Sequence, residues 1–471
     1  MNSLTKTIAA VSTPRGRGGI AVIRISGEDA ITVASRMFRP ARMESGGQPL
    51  SEKDARRAIY GAILDSADAE IDRGMCTVFV SPHSFTGENS AEIACHGGPA
   101  VTEAVYLSAL AHGAVAAGPG EFTKRAFLSG KLSLTEAEAV GGLIDADTNE
   151  KMRLSGGAMR GNVTREIEKL SESLFDVMTA LYAAIDYPEE DVGDEGEREI
   201  AGTLRSTLSG VEKLLSTYKL GRAIQTGVKT TICGKPNVGK SSLFNMITGE
   251  ESAIVTSVAG TTRDVLRETV SFGGVTLRVS DTAGIHDTDD TVEKMGVDRA
   301  HGEIDSAELI IAVFDGSRAP DTEDEELIER LRGAVAPIIA VINKSDLPSA
   351  AGDEFIREIT KIAYRVVTTS AMSDDEKSGR AELSEAVREI CGAGEVDLSA
   401  DAVIWDVRQR EMLLHAKTSL AGAVEAIEAG GPIDAVCTLS EEALAALRET
   451  DGRGVEEEIV SEIFKRFCVG K

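Results

Sequence analysis

The stretch at residues 234–242, with the sequence GKPNVGKSS, has the residue types and spacing of a phosphate-binding loop, G-x4-G-K-[ST]. Its framing glycines let the backbone curl so that N–H groups face a phosphate, and the start of the following helix adds the positive end of a dipole. Lys240 supplies a positive charge for the phosphates, and Ser241 supplies a hydroxyl ligand for Mg²⁺. The loop therefore predicts a site for a nucleoside phosphate with Mg²⁺.

Two segments downstream have the residue types of nucleotide-sensing switches. Residues 260–264, GTTRD, offer the Thr262 hydroxyl, which completes Mg²⁺ coordination once a γ-phosphate is present. Residues 281–284, DTAG, end a strand-like run; there Asp281 acts through a Mg²⁺-bound water and Gly284 senses the γ-phosphate. The order of these segments predicts a nucleotide-dependent switch.

Guanine recognition is predicted by residues 343–346, NKSD, which follow a strand-like apolar run. The Asp346 carboxylate accepts two hydrogen bonds from the guanine edge, whereas adenine would leave it desolvated and unpaired. Ser370 and Ala371 fit the backbone donor for the guanine 6-oxo group. The GTP contacts predicted from these motifs are Asn237, Val238, Gly239, Lys240, Ser241, Ser242, Thr262, Asp281, Thr282, Ala283, Gly284, Asn343, Lys344, Asp346, Ser370 and Ala371.

Hydrolysis requires a group other than the usual glutamine, because the residue after Asp-x-x-Gly is Ile285, which cannot hydrogen-bond to water. The loop at residues 286–293 contains several carboxylates, and no arginine finger can be identified in the chain. The side-chain oxygen of Asn237, beside the phosphates, can coordinate a hard cation; a hydrogen bond within the loop is the alternative. Lys240 and Asn237 are therefore candidate catalytic residues.

The elements that must position these residues divide the chain into four segments. Residues 1–122 mix strand-like runs with turns and predict an α+β domain, and residues 123–223 have helical periodicity. Residues 224–388 form the predicted P-loop, Ras-like GTPase domain, which is inserted into the helical domain that resumes at residues 389–471. The acidic segment 188–197 is predicted to be a solvated loop between helices. The fold class is multidomain, α/β and α.

Composition limits the partners and the compartment. The 471 residues include 50 Lys and Arg against 77 Asp and Glu, a net charge of −27, so a broad nucleic-acid-binding surface is not expected. The six cysteines form no C-x-x-C pair, which argues against a zinc site and a disulfide framework. No apolar run reaches the roughly 20 residues of a membrane span, and no targeting segment is evident. We therefore expect a cytoplasmic protein without a membrane partner.

Two glycine-rich stretches lie at predicted strand edges, RGRGG at residues 15–19 and HGGP at residues 96–99. Because glycine has no side chain, the backbone there can approach a ligand or another strand closely. Two ordinary turns are the alternative.

Motifs along nearly the whole chain resemble those of the tRNA-modification GTPase family MnmE, also called TrmE. They are TPRGRGGIAVIRISG at residues 13–27, FTGE at 85–88, HGGP at 96–99, PGEFTKRAFL at 119–128 and the terminal CVGK at 468–471. The resemblance implies a homodimer that works with the FAD-dependent partner MnmG (GidA), in a heterotetramer or larger complex. It implies a K⁺-stimulated GTPase that adds an aminomethyl or carboxymethylaminomethyl group to C5 of the wobble uridine of certain tRNAs.

The resemblance also implies roles for particular residues. It implies a K⁺ ion, in the role of an arginine finger, at Asn237, Thr256, Val258 and Thr261, with Thr256 and Thr261 also contacting GTP. Glu293 matches the water-orienting glutamate of the family, and Cys468 matches a terminal cysteine that is either functional or a buried structural thiol. A 5-formyl-tetrahydrofolate-type one-carbon donor is implied at Arg24, Glu92, Lys131 and Lys471. Residues 286–290, HDTDD, depart from a more usual Arg-containing segment, which puts the local switch geometry in question.

Two alternatives from other classes stay open at this point. A ribosome-assembly GTPase would have a very similar GTPase domain but normally adds a basic RNA-binding domain, which this chain lacks. A non-hydrolysing guanine-nucleotide scaffold is suggested by Ile285 and is distinguished by measuring phosphate release in K⁺.

Overall fold

The computed structural model describes residues 6–186, 193–249, 267–281, 304–370, 379–394, 396–455, 457–465, 467 and 469–470. The chain divides into two compact units, Met1–Gly141 with Asp451–Lys471, and Gly142–Thr450. The four-segment division expected from the sequence is finer than this separation and stays a prediction. None of the described helices is long and apolar enough to cross a membrane.

The first unit contains a mixed sheet whose described strands follow the order β3-β4-β5-β6-β2-β1-β7. The β1–β7 pair is parallel and the other pairs are antiparallel. Ile23, Ile25 and Ile93 are fully buried beneath two helices, because alternate strand residues point to one face. The strands are β1 (Ile8–Val11), β2 (Ile20–Ser26), β3 (Phe38–Pro40), β4 (Ile59–Leu64), β5 (Glu70–Phe79), β6 (Ser90–His96) and β7 (Val115–Ala116), and the helices are α1 (Ala30–Met37) and α2 (Pro99–Ala111).

The glycine-rich stretches at residues 15–19 and 96–99 lie against each other. The N–H of Gly18 donates to the carbonyl of Gly97 at 3.1 Å. A Cβ on Gly97 would lie 2.6 Å from the carbonyl oxygen of Gly18. The expected close approach of backbone is therefore confirmed, and its partner is the other glycine-rich stretch.

The end of the chain also packs in the first unit. Helices α3 (Glu121–Leu128) and α14 (Glu457–Phe464) are joined by a cluster of aromatic rings, with Phe464 buried beside Phe127. Val469 bridges Pro119, and the Ser12 hydroxyl donates to the carbonyl of Gly470 at 2.9 Å. Residues near the C-terminus are thus fixed beside the first strand.

The second unit contains a helical core. Its helices are α5 (Asn149–Met159), α6 (Asn162–Asp186), α7 (Gly193–Gln225), α12 (Val407–Glu428) and α13 (Ile433–Thr450), while α4 (Leu134–Ile144) spans the boundary between the units. The apolar positions predicted in α6, including Leu174 and Leu181, are buried in one core cluster with residues of α7, α12 and α13. The prediction of a loop at residues 188–197 is wrong from Gly193 onward, where α7 begins. Acidic residues in a first helical turn interact favourably with the helix dipole.

The second unit also contains a sheet of described strands in the order β13-β12-β11-β8-β10-β9, all parallel except β9–β10. Strands β11 and β12 are buried throughout, as expected of a sheet covered on both faces. The strands are β8 (Val228–Cys233), β9 (Arg267–Phe272), β10 (Val275–Asp281), β11 (Leu309–Asp315), β12 (Ile338–Asn343) and β13 (Arg365–Thr368). The helices are α8 (Lys240–Thr248), α9 (Thr322–Arg332), α10 (Asp353–Ile362) and α11 (Arg380–Ile390). The predicted multidomain α/β and α fold class is confirmed.

Candidate nucleotide site

The phosphate loop connects the end of β8 to the first residue of α8 at Lys240. Gly234 and Gly239 have positive φ angles of 153° and 100°, in the region that glycine adopts at low cost. A Cβ on Gly239 would lie 2.1 Å from Nδ2 of Asn343, and one on Gly234 would lie 2.4 Å from the carbonyl oxygen of Val313. Both glycines are therefore required by backbone conformation and by lack of space.

The Lys240 ammonium lies against the start of the same loop. Its Nζ donates to the carbonyl oxygens of Gly234 at 2.9 Å and Lys235 at 2.8 Å. Ser241, one residue later, is exposed in the first turn of α8. The loop thus presents an ammonium and a hydroxyl at a helix N-terminus, which suits a phosphate with a hard cation.

Asn237 is exposed and has a left-handed backbone with φ of 64°. Its side chain has no hydrogen-bond partner within the described ranges, so the hydrogen bond within the loop is not found there. An exposed asparagine side chain carries an oxygen of the type that binds hard cations.

The NKSD segment is attached directly to the phosphate loop. Asn343, the last residue of β12, donates from Nδ2 to the buried carbonyl of Val238 at 2.9 Å and accepts from the Thr369 hydroxyl at 3.2 Å. The Ser370 hydroxyl donates to Oδ1 of Asp346 at 2.8 Å. The predicted base-reading residues and the predicted phosphate-binding residues therefore form one site.

Three acidic residues that the sequence interpretation missed contact lysines of this site, Asp321 and Asp324 at Lys235 and Asp315 at Lys344. Lys235 Nζ contacts Asp324, which is buried in the first turn of α9, at 2.6 Å. Burial lowers the pKa of Lys235, but the hydrogen bonds that its ammonium donates to Asp321 and Asp324 outweigh burial and raise the pKa above its ordinary value. Asp315, at the end of β11, accepts from Lys344. In the sequence, the D-x-x-D pattern at residues 321–324 indicates a helix cap, and it is the local signal for the carboxylates that contact Lys235.

Several predicted site residues are not placed by these contacts. Asp281 ends β10, opposite Ile232 of β8, so its backbone reaches the same edge of the sheet as the loop. Other predicted residues lie outside the described ranges: Thr256, Val258, Thr261, Thr262, Thr282, Ala283, Gly284, Ile285, Glu293, Ala371, Cys468 and Lys471.

The first unit contains three described residues that are predicted to bind a one-carbon donor, and two of them are in contact. Arg24 and Glu92 face each other on β2 and β6, with Nε of Arg24 donating to Oε1 of Glu92 at 3.0 Å. The Arg24 guanidinium lies 5.4 Å from the ring centroid of Phe85 and 5.8 Å from that of Phe122. Lys131 lies beside Gly87, and Gly87 follows Phe85 by two positions in the chain. Arg24 is therefore a cation held by a carboxylate beside two aromatic rings.

Arg125 holds the loop that carries Phe85. This role was not identified from the sequence. Its guanidinium is buried and donates to Glu88 at 3.1 Å and to Glu121 at 2.8 Å. Ser26 adds a 2.7 Å hydrogen bond to Glu88. The helical i,i+4 pair of Glu121 and Arg125 was a local signal for this network.

Two protein-family models match the chain. The model described as GTP-binding protein TrmE N-terminus matches residues 7–131, and the MnmE helical domain model matches residues 134–468.

Curated proteins match over almost the full length. The tRNA modification GTPase MnmE of Lactobacillus helveticus is 38% identical over 466 residues, covering 99% of this chain and 98% of that protein. The proteins of the same name from Thermoanaerobacter sp. and Bacillus cereus are each 38% identical, with 99% of both chains covered.

Solved structures align with a smaller part of the chain. The G domain of the T. maritima FeoB iron transporter is 28% identical, covers 35% of this chain and 98% of that chain, and has a TM-score of 0.25. A variant of Aquifex aeolicus Era bound to GDP and AlF4⁻ is 25% identical, covers 41% and 66%, and has a TM-score of 0.28. TM-scores this low do not establish a shared fold.

Replacing Gly239 with alanine should weaken nucleotide binding by about tenfold or more, because the added Cβ displaces the Asn343 side chain from the loop. The measurement is the Kd for a fluorescent GDP analogue, together with thermal unfolding. Gly274→Ala is the matched control, since Gly274 has φ of 75° but no atom within 4 Å of an added Cβ. Wild-type affinity of Gly239→Ala would contradict the steric argument.

Asp346→Asn should weaken GTP binding strongly and shift preference toward xanthine nucleotides. The asparagine oxygen can still accept from Ser370, but its amide N–H₂ faces the guanine donors and suits the xanthine carbonyl. Competition binding of GTP and XTP to wild type and variant measures the shift. Unchanged GTP affinity would show that Asp346 does not read the base.

Proposed function

The chain belongs to the MnmE family of tRNA modification GTPases, and from that premise we propose that it hydrolyses GTP to GDP and phosphate during tRNA modification. The observation that carries the proposal is the hydrogen bond between Asn343 and the carbonyl of Val238, which joins the base-reading segment to the phosphate loop. A ribosome-assembly role is not favoured, since the full-length relatives named above are tRNA modification GTPases.

The residues of the nucleotide site have separate tasks in this proposal. Asp346, held by Ser370, pairs with the guanine edge, while Lys240 and the loop N–H groups bind the phosphates. Ser241 and Thr262 would hold Mg²⁺, and the exposed hydroxyl of Ser241 in the first turn of α8 fits a hard cation. When bound, Mg²⁺ neutralises charge on the phosphate oxygens.

Potassium is proposed as the second cation. The exposed oxygen of Asn237, without a partner in the described part of the chain, supports a K⁺ site completed by Thr256, Val258 and Thr261. The cation would stabilise the charge that an arginine finger stabilises in other GTPases. Glu293 would orient the attacking water, since Ile285 cannot.

The second part of the proposal concerns the tRNA modification reaction, and it involves residues of the first unit. We propose a homodimer that acts with the FAD-dependent MnmG to add an aminomethyl or carboxymethylaminomethyl group to C5 of wobble uridine, in the cytoplasm. A 5-formyl-tetrahydrofolate-type donor would bind at Arg24, Glu92, Lys131 and Lys471. The contact of Arg24 with Glu92 and with two aromatic rings supports this site, because it fixes a cation beside flat apolar surfaces.

Hydrolysis should depend on K⁺, and Na⁺ should stimulate much less, because an oxygen cage of fixed size holds a smaller ion poorly. The measurement is single-turnover hydrolysis in K⁺ and in Na⁺ for wild type, Asn237→Ala and Glu293→Ala. Asn237→Ala should lose the K⁺ stimulation, while Glu293→Ala should lower turnover and leave nucleotide affinity near that of wild type. Equal wild-type rates in the two salts, or a wild-type rate for Glu293→Ala, would overturn this mechanism.

Deleting residues 470–471 should abolish tRNA modification and leave GTP hydrolysis unchanged. Gly470 lies against Val11 and Ser12 in the first unit, so removal of residues 470–471 should affect the proposed donor site. Mass spectrometry of wobble uridines, phosphate release and calorimetric binding of 5-formyl-tetrahydrofolate measure the three activities. Ser12→Ala, which removes one hydrogen bond but keeps Lys471, is the matched control. Loss of hydrolysis with donor binding intact would assign the tail to the nucleotide site.

A further inference from the structure

Asp315 is a buried carboxylate at the nucleotide edge of the second sheet. It ends β11 and lies opposite Asn343 in the parallel pairing with β12. The N–H of Gly316 donates to the carbonyl of Asn343 at 2.9 Å, which continues the pairing past the strand. The side chain of Asp315 is 4% exposed. Asp315 thus reaches the base-reading segment from the neighbouring strand.

Three residues donate to this carboxylate. Lys344 Nζ lies 2.7 Å and Arg318 Nε lies 2.9 Å from Oδ2, and Ser317 donates to Oδ1 from its hydroxyl and its N–H at 2.6 and 3.0 Å. Burial raises the pKa of Asp315, but the hydrogen bonds from Lys344, Ser317 and Arg318 outweigh burial and hold the pKa well below its ordinary range. Asp315 is therefore ionised wherever the protein is folded near neutral pH.

The ammonium of Lys344 would otherwise be free to move. Lys344 lies between Asn343 and Asp346, and its backbone has a left-handed φ of 66°. Its side chain is 30% exposed, and within the described ranges Asp315 is the partner found for its ammonium. A lysine has a long flexible apolar stem, so fixing the charged end also fixes the path of the methylene groups.

We propose that Asp315 is a positioning residue for guanine recognition, which acts by holding Lys344 so that its methylene stem forms a fixed apolar surface for the purine ring. Asp346 reads the hydrogen-bonding edge of the base, and Lys344 supports its face. The inference rests on the proposed binding of GTP. It assigns to Asp315 an effect on nucleotide affinity rather than on the hydrolysis step.

The test is Asp315→Asn, because asparagine retains an oxygen for Ser317 but no charge to hold Lys344. GTP and GDP affinities should both fall by about tenfold, while kcat at saturating GTP stays within about twofold of wild type. Asp315→Glu should recover part of the affinity. Arg318→Met removes the other cation from the same oxygen, and Asp305→Asn makes the same chemical change at an exposed pair with Arg330; both should bind nucleotide like wild type.

A double-mutant cycle with Lys344→Met separates positioning from a general structural role. If Asp315 acts through Lys344, Asp315→Asn should add almost no further loss of affinity in the Lys344→Met background. Fully additive losses, wild-type affinity of Asp315→Asn, or an equal loss in Arg318→Met would overturn the inference. Absence of guanine-nucleotide binding by the wild-type chain would instead overturn the proposed function itself.

Discussion

The nucleotide site depends on the buried hydrogen bond from Asn343 to the carbonyl of Val238. An isolated hydrogen bond of this type contributes about 1 kcal/mol net, but loss of one partner leaves the other desolvated and costs about 1–3 kcal/mol. The bond also fixes the distance between the segment proposed to read the base and the loop proposed to bind the phosphates, because it joins one to the other. Gly239 is constrained by the same contact, since any side chain there would collide with the Asn343 amide.

The parallel sheet makes this contact possible. Strands β8, β11 and β12 are neighbours and point the same way, so their carboxyl ends deliver the phosphate loop, Asp315 and Asn343 to one edge. Strands β11 and β12 are buried along their whole length, as expected of central strands in a sheet covered on both faces. Acidic side chains then restrain the flexible lysines at this edge, Lys235 through Asp324 and Lys344 through Asp315.

In the first unit, a buried ion-pair network likewise fixes a loop, and its central group is the Arg125 guanidinium. The buried guanidinium of Arg125 joins Glu88 to Glu121 and so ties the loop at residues 85–88 to α3. The buried charge of this guanidinium is paired with two carboxylates, and removal of either carboxylate would leave the charge less well compensated. The loop in turn places the Phe85 ring near Arg24. In both units, then, a buried charged side chain fixes a neighbouring loop or a lysine side chain.

The sequence alone determined the features that depend on local spacing. The glycines of the phosphate loop, the order of NKSD after a buried strand and the apolar period of α6 were all readable, because each lies within one or two elements. Tertiary structure decided the contacts between distant residues: Lys235 with Asp324, Lys344 with Asp315, and Gly470 with Ser12. Sequence spacing does not specify such pairs. They depend on the order of strands in the sheet and on the packing of the C-terminal residues beside the first strand. The start of α7 at Gly193, where acidic residues indicated a loop, has a related cause, since packing of a long helix outweighs local composition.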